Sequence, residues 1–401
     1  MNSQATEIAI VNGARTPMGR YCGKLRDFNA MDLAAVAAQE AIRRSGVETR
    51  EFQHAVFGNA LQTSGDALYG ARHVALKAGL PQEAPALTVN RLCGSGMQAL
   101  VSAAQLIQLG EATTVLAGGM ESMSQAPHVV RGARWGFGLG EGKMEDSLMV
   151  ALLDTHCGLY MANTAELYAE QQGITREKMD ELALESQQKA GAAQQACRLH
   201  EEIVAVPLRN KKGEPTGETF DKDDHLRPDT TMQVLAKLKP AFGKNGTVTP
   251  GNASGIVDGG AAVVLMPLDE AGRRGLKPMG RIVSWGIAGV DPKIMGSGPV
   301  PSSRLALKKA GLKLEDIDLI EVNEAFAGQY LAVEKELGLD RSRVNVNGGA
   351  IALGHPLGAT GTRLVITLLY ELRRRKGKYG LATACIGGGQ GIAMIVENLQ
   401  R

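Results

Sequence analysis

The chain carries one pattern twice, and that repetition constrains its fold more than any other feature. Ala41-Ile42-Arg43-Arg44-Ser45-Gly46-Val47 matches Ala306-Leu307-Lys308-Lys309-Ala310-Gly311-Leu312, in each case a helix end stopped by glycine. A strand-like apolar run follows each copy at nearly the same offset, HAVFGN at 54–59 and DLIEVN at 318–323. Val89-Asn90 leads into a glycine-rich turn, and Val346-Asn347 leads into another. The spacing predicts strands over 7–12, 54–59, 87–89 and 113–117, with helices over 32–45, 68–78 and 97–106 between them. Alternating strands and helices point to a layered α/β architecture. Two such halves packed face to face would bring both glycine-rich turns to one central site.

Residues 121–252 stand outside the repeat. They are more polar, carry helical stretches over 164–172 and 176–197, and end in a charged, Pro- and Gly-punctuated region over 211–250. An insertion of this size after a strand is expected to sit over the scaffold as a cap and shape a binding site. With 401 residues, 44% of them hydrophobic, the chain has material for more than one core. A net charge of +2 and the lack of a basic stripe argue against a nucleic-acid partner. Five scattered cysteines without a CxxC pair fit a reducing compartment, with one or two thiols kept for chemistry. The opening MNSQATEIAIVNGARTP lacks a signal-peptide pattern, and no apolar run reaches spanning length, so a cytoplasmic protein without membrane contact is expected.

Five stretches carry groups able to do chemistry. Cys93 lies between a strand and a helix, in NRLCGSGMQAL at 90–100. It is either a nucleophile whose thiolate is favoured by the helix N-terminus, or a small buried core residue. His355 lies between Gly354 and Pro356 in NGGAIALGHPLGATG at 347–361. It is either a general base and oxyanion donor or an ordinary turn histidine. Cys385 opens CIGGGQG at 385–391, where bare backbone N–H groups can cradle an oxyanion and the thiol can act as acid or base. The plainer alternative is a tight hairpin with a buried thiol. Asn323 of NEAF at 323–326 holds a water or carbonyl, or caps the helix that follows; Ser254 of NASG at 252–255 binds a ligand amide, or caps a turn. A helix is predicted over 362–374, ending in a solvated Arg373-Arg374-Arg375-Lys376 cluster. His156-Cys157 has no metal-ligand spacing around it, and no metal site is expected.

Together NRLCGSGMQAL, NASG, NEAF, NVNGGAIALGHPLGATG and CIGGGQG, in this order and at these separations, resemble the signatures of the thiolase family over nearly the whole chain. The resemblance implies an α/β, thiolase-like five-layered α/β/α/β/α fold of two duplicated halves with an inserted loop domain. Its parts would be residues 1–121 with 253–275, the CoA-binding cap 122–252, and residues 276–401. It implies that Cys93 takes the acyl group as a thioester, that His355 raises its nucleophilicity and helps bind the thioester oxygen, and that Cys385 moves the α-carbon proton. Asn323 would fix a water in one oxyanion hole, while the N–H groups of Cys93 and Gly387 form the other. Arg227, Thr230 and Ser254, with Met161, Phe242, Ala253 and Phe326, would hold coenzyme A, a substrate here rather than a resident cofactor. A homodimer or a homotetramer is expected.

Where many acetoacetyl-CoA thiolases carry a His-Met-Gly run, this chain reads Tyr160-Met161-Ala162. That departure favours a short- to medium-chain 3-ketoacyl-CoA thiolase over a dedicated acetoacetyl-CoA enzyme. A decarboxylating ketosynthase would pair its cysteine with two histidines, which Cys385 argues against. A non-catalytic lipid carrier would have replaced Cys93, His355 or Cys385. A dinucleotide enzyme is set aside because the GGGQG run follows the last core strand and opens no helix.

Overall fold

The structure, a computed structural model, describes residues 6–210 and 212–401; the first five residues of the N-terminal stretch and Lys211 lie outside it. The first half runs through β1 (Ile8–Arg15), α1 (Ala30–Ser45), β2 (His54–Gly58), α2 (Gly70–Lys77), β3 (Ala86–Val89), α3 (Ser95–Gln108) and β4 (Val115–Glu121). The insertion holds α4 (Met161–Gln171) and α5 (Arg176–Gln195), after which β5 (Val257–Pro267) returns to the first sheet. The second half follows with β6 (Gly280–Gly289), α6 (Pro299–Ala310), β7 (Leu319–Val322), α7 (Ala327–Leu337), α8 (Leu357–Arg375), β8 (Tyr379–Ile386) and β9 (Gln390–Asn398).

The repeat is a repeat of topology. Strand order is β3-β2-β4-β5-β1 in the first half and β7-β8-β9-β6 in the second. β2 is parallel to β3 and β4, and β5 and β1 then run antiparallel. In the second half β7 and β8 are parallel, β9 and β6 antiparallel, and Val344 bridges in parallel to Ile320 where a counterpart of β3 would stand. The two sheets join along one edge, where Ile8, Ala9 and Ile10 pair with Ile282, Arg281 and Gly280.

Period-2 alternation along the strands sorts side chains into layers. Leu116, Ala262, Val264 and Met266 face α1 and α2, while Val115, Ala117, Val263 and Leu265 face α3 and α8. In the second sheet Ile392, Met394 and Val396 face the same two central helices, and Ala393 and Ile395 face the outer layer with α6 and α7. Both faces of both sheets are therefore covered, giving α/β/α/β/α. Each fully buried leucine of the central helices, such as Leu100, Leu364 and Leu368, contributes about 1.5–3 kcal/mol to this packing. The central helices cross where small residues allow it: a Cβ added to Gly96 would stand 2.7 Å from the Gly358 carbonyl oxygen.

Two expectations need correction. α8 starts at Leu357, five residues before the predicted position, because its glycine-rich first turn is buried between the halves and needs no amphipathic pattern. The GGGQG run does not follow the last core strand: β9 returns beside β8, with Ile386 paired to Gln390, so the run is a hairpin turn. It still opens no helix.

The insertion leaves from β4 and returns at β5 but leans on the second half. Tyr168 donates to Glu336 at 2.6 Å and Ser186 to Glu324 at 2.7 Å. It is tied to the first half by Arg15, wholly buried, which bonds Glu202 at 2.6 Å and Asp223 at 2.7 Å. No helix among the described residues is long and apolar enough to cross a membrane.

Candidate active site

Cys93 sits in a single helical turn, Leu92–Gly94, directly before α3. The turn is held from both sides. Asn90 accepts from the Leu92 N–H at 2.9 Å and donates to the Ala60 carbonyl at 3.0 Å, while Arg91 bonds Gln98 at 2.9 Å and Gln390 at 2.8 Å. Leu92 has a φ of 45°, in the left-handed region that costs an L-residue about 1–2 kcal/mol. The N–H groups of Gly387 and of Cys93 itself are directed at the Cys93 sulfur. They do not make it a thiolate: burial pushes the thiol up to about 11, and the Glu121 charge adds to that rise. This corrects the expectation drawn from the helix N-terminus. Two N–H groups do not replace the water that a buried thiolate loses.

His355 is buried, and its N–H donates to the Gly255 carbonyl at 2.9 Å. Its Nδ1 lies 2.6 Å from the Thr360 hydroxyl, which itself donates to the Pro356 carbonyl at 3.0 Å. The hydroxyl proton being used there, Nδ1 carries the ring proton and Nε2 presents a lone pair. Asn323 Nδ2 donates to that Nε2 at 3.3 Å, and its Oδ1 is buried without a protein partner. Burial, helped by the nearby Arg363 charge, takes the imidazole down to about 3, so it is neutral near pH 7. Asn323 caps no helix: Phe326 is the N-cap of α7. Glu324 beside it accepts from Asn345 Nδ2 at 2.9 Å, the Ser186 hydroxyl at 2.7 Å and the Ile351 N–H at 3.2 Å. These bonds fix the NEAF loop to the cap and to the histidine turn.

Cys385, one residue from the end of β8, packs with Met295 and Ala325, with Met161 and Phe326 alongside. Burial first, and then Cys93, push its thiol far up.

These turns meet at a cavity of about 520 Å³ lined by Cys93, His355 and Cys385. Met161, Phe242, Ala253, Ser254, Phe326 and Arg227 also line it. Asn323 and Gly387 stand behind its wall, one bonded to His355 and the other to Cys93. Thr230 does not reach the cavity; its hydroxyl donates to the Arg227 carbonyl at 2.7 Å and closes that turn. The sequence reading missed Arg20, Tyr21, His225 and Met295, which line the cavity too. His225 is brought down to about 4 by burial and by Arg227. Its place beside Leu226 and Arg227 was the one local signal available; Tyr21 lies in a turn and Met295 in a short 3₁₀ helix, Pro292–Ser297, with none.

Comparison with known proteins agrees with this geometry. Models of the thiolase N-terminal domain and the thiolase C-terminal domain match residues 8–269 and 276–398. The chain belongs to the thiolase family. The mitochondrial 3-ketoacyl-CoA thiolase of Homo sapiens is 52% identical over 392 residues, covering 98% of each chain. An acetyl-CoA acetyltransferase of Cupriavidus necator is 49% identical over 393 residues, covering 98% of this thiolase and 99% of that protein. The crystal structure of the human mitochondrial enzyme in complex with CoA matches with a TM-score of 0.95 at 51% identity, again over 98% of each chain. The present thiolase is thus an acyltransferase with the five-layered fold its sequence resembled.

Proposed function

We propose that this thiolase cleaves short- and medium-chain 3-ketoacyl-CoA with CoA, giving acetyl-CoA and a shortened acyl-CoA, and runs the reverse Claisen condensation. The observation that carries the reading is that Cys93, His355 and Cys385, from three separate turns, line one cavity. Neither thiol ionises alone near pH 7, and the neutral imidazole keeps its acceptor at Nε2, where the Cys93 proton takes the place of the Asn323 N–H. The Cys93 proton therefore passes to His355 Nε2 as the sulfur attacks the C3 carbonyl, each new charge stabilising the other. The C2–C3 bond breaks, its electron pair stays on C2, and Cys385 gives C2 a proton to release acetyl-CoA. CoA then gives its thiol proton to Cys385 and attacks the acyl-Cys93 thioester, and Cys93 leaves as the thiolate that recovers its proton from His355.

The imidazolium and a water held by the open Oδ1 of Asn323 stabilise one developing oxyanion, and the N–H groups of Cys93 and Gly387 the other. Arg227 and Ser254 hold coenzyme A, with Met161, Phe242, Ala253 and Phe326 as apolar walls; Thr230 supports them by fixing the Arg227 turn. The same reading divides the chain into 1–121 with 253–275, the cap 122–252, and 276–401. It places the enzyme in fatty acid metabolism, in the cytoplasm, as a homodimer or homotetramer. The exposed apolar residues Trp135, Phe137 and Leu139 support an assembly, which light scattering checks.

The likeness to an acetyl-CoA acetyltransferase favours a second reading, a dedicated acetoacetyl-CoA enzyme. Thiolysis of C4 to C16 3-ketoacyl-CoA substrates, beside Cys93→Ala, decides. Turnover of C4 alone selects the second reading, and bound but unreacted acyl-CoA in the wild type selects a carrier over both.

A further inference from the structure

Glu121, the last residue of β4, is wholly buried and accepts four N–H donors. Its Oε1 takes Asn59 Nδ2 at 2.7 Å and the Leu61 N–H at 3.1 Å; its Oε2 takes the Ala60 N–H at 3.1 Å and the Gly358 N–H at 2.8 Å. Three donors belong to the loop after β2 in its own half. The fourth belongs to the first turn of α8 in the other half. α8 has no side-chain cap of its own, so a carboxylate from across the interface does the capping.

Both reacting turns hang on this carboxylate. Gly358 is three residues after His355 and two before Thr360, the partner of Nδ1. On the other side, the Ala60 carbonyl accepts from Asn90, which also fixes the Leu92 N–H beside Cys93. Ala60, Leu61 and Cys93 pack together with Leu357 in one apolar cluster.

We propose that Glu121 is a positioning residue for acyl transfer, holding the His355 turn of one half and the Cys93 turn of the other in a single frame. This rests on the reading of His355 as the acceptor of the Cys93 proton. Direct electrostatics does not account for the residue: burial raises its own carboxyl to about 7, and where it is charged it pushes the Cys93 thiol up and so opposes nucleophile formation. Removing the charge alone should ease Cys93 ionisation. A loss of rate on neutralising Glu121 is therefore the mark of geometry.

The test is steady-state thiolysis of acetoacetyl-CoA by the full chain carrying Glu121→Gln, His355→Asn or both. Glu121→Gln keeps the volume but turns one acceptor into a donor facing N–H groups. Displacing His355 from Cys93 should lower kcat about 10- to 100-fold and leave KM within twofold. Since Glu121 acts through His355, the double variant should be no slower than His355→Asn. Losses that multiply, or a Glu121→Gln kcat within twofold of wild type beside an inactive His355→Asn, would overturn the positioning role alone. An active His355→Asn would overturn the reading of His355, and this proposal with it. If Glu121→Gln does not fold, Asn59→Ala removes one donor and leaves the carboxyl group in place. It should show a smaller fall in kcat with the same non-multiplying behaviour, and a wild-type kcat there would overturn the proposal.

Discussion

The turn that carries Cys93 and the turn that carries His355 occupy equivalent points of two halves with one topology, yet they are built differently. The first goes from β3 through a single helical turn into α3, and its fixing bonds come both from nearby chain, Asn90 to Leu92 and Arg91 to Gln98, and from Ala60 and Gln390 farther off. The second interposes a short helix, Ala350–Leu353, then Gly354 with a φ of 98°, before α8 begins. Its fixing bonds come from elsewhere: Gly255 holds the backbone of His355, Asn323 its ring, Glu324 the Ile351 N–H and Glu121 the Gly358 N–H. Duplication supplied the scaffold twice. The halves divide the bracing unevenly: the Cys93 turn is held partly by its own neighbours, while distant residues do most of the aiming of the His355 turn.

If the division holds, Cys93→Ala shows the largest effect, a loss of thiolysis of about 10⁴-fold or more with the fold intact by circular dichroism. Appreciable turnover there would move the nucleophile elsewhere. His355→Asn should cost about 10²- to 10⁴-fold in kcat, the range of a lost general base, and should slow acylation of Cys93 in a single-turnover experiment. An unchanged acylation rate would confine His355 to later steps.

The cap, leaning on one half and anchored in the other, sharpens the comparison in stability. Arg15→Met leaves Glu202 and Asp223 buried without their cation and should lower unfolding free energy by about 3–5 kcal/mol in urea titrations. A loss below about 1 kcal/mol would make the tether incidental, as for an exposed pair.

The smallest effect concerns pH. The imidazole of His355 is brought down to about 3 in the folded chain, against about 6.5 when unfolded. The unfolded state therefore binds the extra proton between those values. The contribution is fully present above pH 6.5 and lost as pH falls toward 3, at up to about 1.4 kcal/mol per unit. His355→Asn should flatten the fall in stability from pH 6.5 to 4; parallel curves would mean that the ring takes up its proton in the fold as readily as in the unfolded chain.

Much of this protein was determined by its sequence alone. Gly46 and Gly311, both left-handed, end matching helices, and the apolar runs after them became matching strands, because helix stops and strand periodicity are local properties. The position of Cys93 between a strand and a helix was legible for the same reason. What the tertiary structure decided depends on groups far apart in the chain. It set the protonation of the thiol, which burial raises where local helix geometry pointed to a thiolate. It set the tautomer of His355, through Thr360 and Asn323. It started α8 at a buried glycine-rich turn with no periodicity to read, and it laid the cap on the half from which it does not emerge. Desolvation and cross-half hydrogen bonds exist only once the halves close on each other, so no local stretch of sequence encodes them.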